Sequence, residues 1–171
     1  MSSVVLSGDT SGTVTVAVPA VAGTNTVTIA AQTGTLNAAG PAFSVYQSTA
    51  TAVATTATKI TFDVEEFDTN NNFASSRFTP TVAGYYQINA LLQPAAAYAG
   101  GFIQLYKNGT AYKSGNYTNT ATSLGGFLLS TLAYCNGSTD YLEIYGAFTF
   151  AQNTATGATF TTFSGCLLRG A

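Results

Sequence analysis

The feature that most constrains this chain is a strict two-residue alternation in the stretch FTPTVAGYYQINALLQ, which runs from Phe78 to Gln93. One set of its side chains is apolar or aromatic, namely Tyr86, Ile88, Ala90 and Leu92. The other set consists of Tyr85, Gln87, Asn89 and Leu91. Because side chains of a strand point to opposite faces at every step, the pattern predicts a β-strand with one face in a core. The second face carries a tyrosine and two amides, which is unusual both for open solvent and for a dry interior.

Short segments of the same kind recur along the chain, and none shows convincing helical periodicity. They are rich in Thr, Val, Tyr and Phe and are separated by Gly, Asn and Ser, which is typical of an all-β chain. Further strands are predicted in AFSVYQS, KITFDVEEF, LGGFLLSTLAY, YLEIYGAFTF and ATFTTFSGCLL. A hairpin is predicted in GFIQLYKNGTAYKSG, where Asn108-Gly109 is a type I′ turn signal. About eight to ten short antiparallel strands predict a sandwich or jelly roll.

The surface of this chain must be covered largely by neutral groups or by other protein. Hydrophobic residues make up 46% of the sequence and charged residues only 7%, whereas an ordinary soluble domain has about 25% charged residues. We therefore expect a chain that hides surface in an assembly. The formal net charge of −2 offers no electrostatic footprint for nucleic acid.

The residue types that many enzymes and metal sites need are scarce. The sequence has no histidine, which removes the commonest general base, the usual Ser or Cys triads and most zinc sites. Cys135 and Cys166 are far apart and match no metal spacing. They form either a disulfide or, as we expect, two small buried thiols. We expect no cofactor and no enzymatic activity.

The N-terminal residues MSSVVLSGDT lack a basic region followed by an apolar run, so we expect no signal peptide. The longest apolar run, VAVPAVAG, is too short to span a bilayer and contains a proline. We therefore expect neither secretion by the usual route nor membrane insertion.

Two groups of acidic residues are candidate chemical sites. The first consists of Asp63, Glu65, Glu66 and Asp68. Amides follow at positions 70–72, and calcium takes carboxylate and amide ligands, but the spacing matches no known calcium loop. We interpret this group as a solvated loop and expect no metal. Glu143 with Asp140 could suggest a glycosidase pair, but alternation in YLEIY predicts an ordinary strand with an outward acid.

Residues 1–40 differ from the rest because they contain no aromatic residue. Two alternating segments, TVTVAVP and TNTVTIA, place Val or Ile on one face and Thr on the other. Their apolar positions are Val14, Val16, Val18, Val27 and Ile29. Such strands gain stability only when they are paired or covered, so we predict an extended β arm over 1–40 that pairs with sister chains or a larger partner. Residues 41–171 would then form the globular domain. The alternative is that 1–40 is a flexible lead-in.

Several motifs follow one another within residues 42–171. Phe62, Asp68 and Phe73 have the spacing aromatic, five residues, Asn or Asp, four residues, aromatic. Phe78 follows, then five residues and the Gly-x-Tyr of GYY. LYKNG occurs in the middle and FSGCLL near the end. With these motifs in this order, the region resembles the globular C1q-like domain, a jelly roll of the C1q and tumour-necrosis-factor superfamily.

The chain also departs from that family pattern. Ile88 and Ala90 stand where the family usually has aromatic residues. Only four residues separate Phe73 from Phe78, where the family usually has six. The collagen-like stalk of the animal proteins is absent from the sequence. The departures suggest a distant member with a shortened loop.

The resemblance implies a compact homotrimer, because members of the family are trimers. It also implies that the strand after Gly-x-Tyr shows one face to its own sandwich and the other to the threefold axis. The residues that would then form the trimer interface are Tyr85, Gln87 and Asn89, together with Phe163, Gly165 and Leu167 of the last strand. The alternative is that the strand face with Tyr85, Gln87 and Asn89 is a partly solvent-exposed outer surface.

The segment SGTVTVAVPAVAGTNTVTIAAQTGTL looks like segments common in bacteriophage virion proteins, often ahead of a C1q-like domain. This implies a virion protein assembled in a host cytoplasm. We expect a trimeric capsid decoration or cement protein whose arm binds the major capsid protein or another virion protein. The alternative is the receptor-binding tip of a tail fibre, which would use tyrosine-rich loops on host surface glycans. An extracellular lectin or signalling ligand is disfavoured by the missing signal.

Overall fold

A computed structural model of the chain describes residues 3–7, 13–17, 40–119 and 125–171. The chain divides into two compact units, residues 1–34 and residues 35–171. The boundary expected from the sequence, at residue 40, lies a few residues further along the chain.

The N-terminal unit contains an antiparallel pair of strands, β1 (Ser3–Ser7) and β2 (Thr13–Ala17). The register places Val16 opposite Val4 and Val14 opposite Leu6. Strand β2 confirms the first predicted arm strand. Strand β1 was not predicted, and it gives β2 a partner within its own chain.

The structure does not test the other predicted apolar positions of the arm. Val18, Val27 and Ile29 lie outside the described residues. A capsid-binding role for the arm positions therefore stays a prediction.

The C-terminal unit is built entirely from short strands in the described ranges. They are β3 (Ala42–Tyr46), β4 (Ala52–Val53), β5 (Thr58–Lys59), β6 (Val64–Asp68), β7 (Phe73–Ala74), β8 (Arg77–Phe78), β9 (Ala83–Leu92), β10 (Gly101–Lys107), β11 (Thr110–Thr118), β12 (Phe127–Asn136), β13 (Leu142–Phe148), β14 (Gln152–Asn153) and β15 (Thr162–Gly170). One sheet has five strands in the order β12-β9-β15-β3-β6. A second sheet has six, in the order β11-β10-β13-β8-β7 with β5 paired to β13, and β4 pairs with β14. The predicted all-β antiparallel jelly roll is confirmed.

The two sheets are joined by a cluster of aromatic rings. Phe43 of the five-stranded sheet stacks on Phe78 of the six-stranded sheet, with 4.2 Å between ring centroids. Phe163 meets Phe43 edge-on at 4.9 Å. Tyr86 packs against Phe78 and donates its hydroxyl to the Val82 carbonyl at 2.6 Å. Burial raises the pKa of Tyr86 to about 12, so its hydroxyl remains a donor at neutral pH.

Strand β9 confirms the alternation from which the fold was predicted. Its side chains Tyr86, Ile88, Ala90 and Leu92 are buried. The hairpin turn is confirmed as well, because Asn108 and Gly109 have φ of 54° and 77°, as a type I′ turn requires. The Asn108 amide holds the turn by donating to Asp140 Oδ1 at 2.8 Å.

The segment predicted as one strand, KITFDVEEF, is divided between the two sheets. Strand β5 pairs with β13, whereas β6 pairs with β3. Between them, Ile60 and Phe62 are both buried, and the Ile60 amide donates to the Ile144 carbonyl at 2.9 Å. The chain therefore crosses from one sheet to the other within this segment, which a single alternation pattern does not reveal.

The prediction that Phe163, Gly165 and Leu167 face outward is wrong. In β15, Phe163 lies opposite Ala90 of β9 and Gly165 lies opposite Ile88. Residues directly opposite in an antiparallel pair share a face, so both residues point toward the core. Phe163 is 0% exposed, and the half-buried Leu167 packs against the same core. The outer positions of β15 belong instead to the alternate residues Ser164 and Cys166.

The acid of the predicted strand YLEIY does not point into open solvent. Glu143 of β13 is only 2% exposed. Its Oε1 lies 2.8 Å from Lys59 Nζ and 2.9 Å from Arg77 Nη2, and the Arg77 guanidinium lies 3.7 Å from the centroid of the Tyr141 ring. Strands β5 and β8 pair with β13 and bring these two cations over the carboxylate.

The two cations also determine how Glu143 titrates. Burial alone would raise the pKa of Glu143, but the hydrogen bonds and positive charges of Lys59 and Arg77 outweigh burial and hold the pKa below its ordinary value. A carboxylate with a depressed folded-state pKa stabilises the fold above its unfolded-state pKa. That contribution is lost as the pH falls through the folded-state value.

We predict that Gly165→Ala destabilises the jelly roll by about 1–3 kcal/mol, as overpacking of a core does. An added Cβ would lie 2.7 Å from Ile88 Cδ1 and 2.9 Å from Phe43 Cε1. Gly170→Ala in the same strand is the matched control, because nothing lies within 4 Å of its added Cβ. The measurement is chemical denaturation of both variants, and equal stabilities would contradict the core-facing assignment of Gly165.

We predict that Glu143→Gln weakens the dependence of stability on acid. At neutral pH the variant should lose about 2 kcal/mol, because two partly solvated cations lose their carboxylate. The difference from wild type should shrink as the pH falls from neutral through and below the ordinary range of a carboxyl group, because Glu143 itself then becomes protonated. Urea denaturation across this range measures the effect, with the exposed Glu65→Gln as control. A Glu143→Gln curve parallel to wild type would refute the ion-pair contribution.

Candidate functional site

The predicted interface residues of β9 lie on the outer side of the five-stranded sheet. Tyr85 and Asn89 are exposed and Gln87 is half-buried. We use the name outer sheet face for the outward-pointing residues of three adjacent strands, the edge strand β12 and its neighbours β9 and β15. They are Tyr85, Gln87, Asn89, Leu91, Leu128, Ser130, Leu132, Tyr134, Ser164 and Cys166.

The register arranges this face in rows across the sheet. Tyr134 lies opposite Tyr85, Leu132 opposite Gln87, and Ser130 opposite Asn89. On the other side of β9, the outward positions of β15 continue two of these rows. Leu91 and Leu128 therefore occupy one end of the face and Tyr85 and Tyr134 the other, while amide and small side chains, with Leu132 at the edge, occupy its middle.

The middle of the outer sheet face holds a closed hydrogen-bond triangle. Gln87 Nε2 donates to Asn89 Oδ1 at 3.2 Å and to Ser130 Oγ at 3.1 Å. Ser130 Oγ donates to the same Asn89 Oδ1 at 2.9 Å. Among the described residues, Gln87 Oε1 and Asn89 Nδ2 have no side-chain partner. The triangle thus holds both amides in place and leaves one acceptor and one donor for another molecule.

The five-stranded sheet carries many exposed apolar side chains. Six exposed large apolar side chains belong to strands of this sheet, namely Phe67, Tyr85, Leu128, Leu132, Tyr134 and Leu168. Leu128 alone is 62% exposed. Strands β9 and β12 contain no charged residue. Exposed apolar side chains on one face of a sheet are a candidate interaction surface.

Charged groups occur only toward the margins of this face. On β6, Glu66 accepts a hydrogen bond from Ser44 Oγ at 2.6 Å. At the end of β15, Arg169 lines an open groove of about 620 Å³ together with Tyr85, Tyr134 and Leu168. The Tyr85 and Tyr134 rings lie 5.4 Å apart, centroid to centroid.

Lys107 is held by an ion pair and a hydrogen bond near β12. Lys107 Nζ lies 2.8 Å from Asp140 Oδ2 and donates to the Tyr134 carbonyl at 2.8 Å. Hydrogen bonds from Asn108 and from Lys107 hold the pKa of Asp140 below its ordinary value. Asp140 and Glu143 are therefore both engaged by cations, which leaves neither as a free carboxylate for acid–base chemistry.

Two carboxylates of the acidic cluster accept hydrogen bonds from loop residues. Asp63 accepts from the Ser48 amide at 2.6 Å and from the Ser48 hydroxyl at 2.8 Å. Slight burial would raise the pKa of Asp63, but these hydrogen bonds outweigh it and lower the pKa to about 2. Asp68 accepts from the Phe73 amide at 2.7 Å. In the part of the chain that the structure describes, no three His, Cys, Asp or Glu side chains come together as metal ligands.

The two cysteines are free thiols in different surroundings. Cys135 is buried, and burial raises its pKa to about 11. Cys166 is exposed on the outer sheet face, which corrects the expectation that both thiols are buried. Within the described ranges no helix is long and apolar enough to cross a membrane.

The β12 residues of the outer sheet face were not predicted from the sequence. The segment FLLSTLAY has apolar residues on both parities, a pattern typical of strands covered on both faces. That signal could have identified Leu128 and Leu132 as part of a second covered surface. Contact of any of these residues with a sister chain stays a prediction.

Comparison with solved structures gives the fold independently. No protein-family model and no curated protein matches the sequence. The globular domain of zebrafish complement 1qA protein aligns with a TM-score of 0.57 and 18% identity, over 78% of this chain and 100% of that domain. Murine APRIL aligns with a TM-score of 0.55 and 7% identity, over 75% of this chain and 98% of that structure. The described residues 40–119 and 125–171 therefore have the jelly-roll fold of C1q-like and tumour-necrosis-factor-like domains.

Proposed function

We propose that the chain is a non-enzymatic structural protein of a virion, a trimeric knob that decorates a capsid and is anchored by its N-terminal arm. The observation that carries the proposal is the outer sheet face, which is apolar, uncharged in its centre and unpartnered within the described residues. The resemblance to bacteriophage virion segments in the arm supplies the virion context, with assembly in a host cytoplasm.

The outer sheet face suits a threefold assembly. Burial of leucine and tyrosine side chains between copies contributes about 25 cal/mol for each Å² of apolar surface removed from water. The amide triangle adds specificity, because a donor on Asn89 and an acceptor on Gln87 can pair with those of sister chains. A monomer offers no partners for these groups other than water.

The arm suits attachment to a larger partner. Residues 1–34 form a unit of their own, and the β1–β2 pair is too small to be stable alone in water. A shell protein that adds a strand or covers one face would stabilise it. Three arms from one trimer would act together, because each bound arm raises the effective concentration of the others.

We predict that Asn89→Lys converts the trimer to monomers. Three ammonium groups would then meet in a desolvated interface without carboxylate partners. Ala111→Lys is the matched control, because Ala111 is an exposed strand position on the other sheet. Native mass spectrometry reads the oligomeric state, and thermal melting checks the fold. An Asn89→Lys chain that stays trimeric with unchanged melting would disprove the interface.

We predict that removal of residues 1–34 leaves a folded trimer that no longer binds capsids. The cut is placed before Thr35 because Gly40 and Pro41 contact Leu167 of the jelly roll. Co-sedimentation with stripped capsids measures binding, and a thermal melt measures the trimer. Undiminished co-sedimentation would eliminate the anchoring role, whereas a lower melting temperature would indicate that the arms are woven into the trimer base.

A second candidate is the receptor-binding tip of a tail fibre, favoured by the exposed ring of Tyr117 on β11. Copy number separates the two candidates. Quantitative mass spectrometry of virions should count on the order of hundreds of copies for a shell decoration, which follows capsid symmetry. A count of a few copies would reject decoration and favour the tail tip.

A further inference from the structure

A small cavity opens at the end of the six-stranded sheet, and it shares no lining residue with the groove on the other sheet. Its volume is about 230 Å³, and it lies where β10 begins and β11 and β13 end. Phe102 and Tyr117 contribute aromatic surface to it, which we call the aromatic wall, and Ala147, Thr55, Asn119 and Thr149 also line it.

The register explains why a depression exists there. Phe102 of β10 lies opposite Tyr117 of β11 on one side and opposite Ala147 of β13 on the other. Residues directly opposite share a face, so the side chains of Phe102 and Tyr117 project from the same face of the sheet, and Ala147 adds only a methyl group beside Phe102. Tyr117 is 68% exposed, which makes its ring available to a ligand.

Tyr117 lies next to a β-bulge in the pairing of β10 with β11. The register of β10 and β11 shifts between Phe102 and Gln104, and bulges of this kind re-aim a side chain. Gly115 permits the close approach, because an added Cβ would lie 2.5 Å from Ile103 Cγ2. The side chain of Asn116 then accepts the Leu128 amide hydrogen at 2.6 Å. The aromatic wall is therefore preorganised, which lowers the cost of binding.

The polar groups at the cavity are available. Among the described residues, the side chains of Thr55, Tyr117, Asn119 and Thr149 have no hydrogen-bond partner, whereas Gln104 further along β10 bonds to Ser114. No lining residue is charged. The cavity thus combines aromatic surface with hydroxyl and amide groups and lacks any charge.

We propose that this cavity binds one neutral sugar ring. The apolar C–H face of a hexose would stack on the Tyr117 ring, and its hydroxyls would pair with Asn119 and Thr149. The volume is below the roughly 300–1,000 Å³ of pockets that hold drug-sized ligands, so a single ring fits better than a larger molecule. The absence of charge favours a neutral sugar over an acidic one. This inference does not rest on the virion role.

The test uses the full chain and four methyl glycosides, those of galactose, glucose, mannose and N-acetylglucosamine. Saturation-transfer NMR detects binding, and titration measures affinity. We expect at least one of these sugars to bind at millimolar concentration. Tyr117→Ala should weaken that binding by about ten-fold, because it removes an aromatic contact, and Tyr117→Phe should retain most of it.

Tyr112→Ala is the matched control, because Tyr112 is 41% exposed on the same strand and does not line the cavity. It should bind the sugar like wild type, and Asn119→Ala should bind more weakly. Both tyrosines are exposed, so thermal melts of the alanine variants should match wild type. The proposal fails if none of the four glycosides binds, if Tyr112→Ala weakens binding as much as Tyr117→Ala, or if sialic acid binds more tightly than every neutral sugar.

Discussion

The pairing of β9 with β12 on one side and β15 on the other is the interaction on which the rest of this structure depends. The registers of the two pairs place Ile88 and Gly165 on the core side and Asn89, Ser130 and Ser164 on the outer side. The core side closes through the aromatic cluster that joins the two sheets. Because side chains alternate strictly along a strand, filling that core also presents the outer sheet face as a continuous surface. Fold and candidate interface are thus two consequences of one register.

The two sheets differ in which side chains cover their outer sides. On the six-stranded sheet, Lys59 and Arg77 cover the Glu143 carboxylate, and the Tyr106 and Tyr145 rings stack with centroids 3.8 Å apart. On that side the buried carboxylate therefore has charged partners within its own chain. The outer sheet face has leucines, tyrosines and a partly satisfied amide triangle, and it has no charge at its centre to hold water. This contrast is the physical basis for proposing that copies of the chain meet there, while the exposed aromatic wall around Tyr117 supports a separate ligand site.

Much of this architecture was predictable because β9 has a clear apolar parity, and the Asn108-Gly109 turn has the residues that its backbone demands. The parity of β15 was not predictable, because TFSGCLL carries apolar residues on both parities and only its register with β9 separates them. The burial of Glu143 escaped prediction since its covering cations come from distant segments, Lys59 and Arg77. Strand β1 was not predicted because a short apolar run in the sequence does not indicate which strand it pairs with. Local patterns therefore predicted strands and turns, whereas long-range pairing decided which faces are covered.

The reactivity of Cys166 in the native protein tests the central claim most directly. Cys166 is exposed on the outer sheet face of a single chain, and the only other cysteine, Cys135, is buried. Burial also raises the pKa of Cys135 to about 11, which keeps its thiol protonated and unreactive. If copies of the chain meet through this face, a thiol reagent should modify native Cys166 slowly and modify it rapidly once the copies are separated by Asn89→Lys. Equally rapid modification of Cys166 in the wild-type and Asn89→Lys proteins would contradict the account.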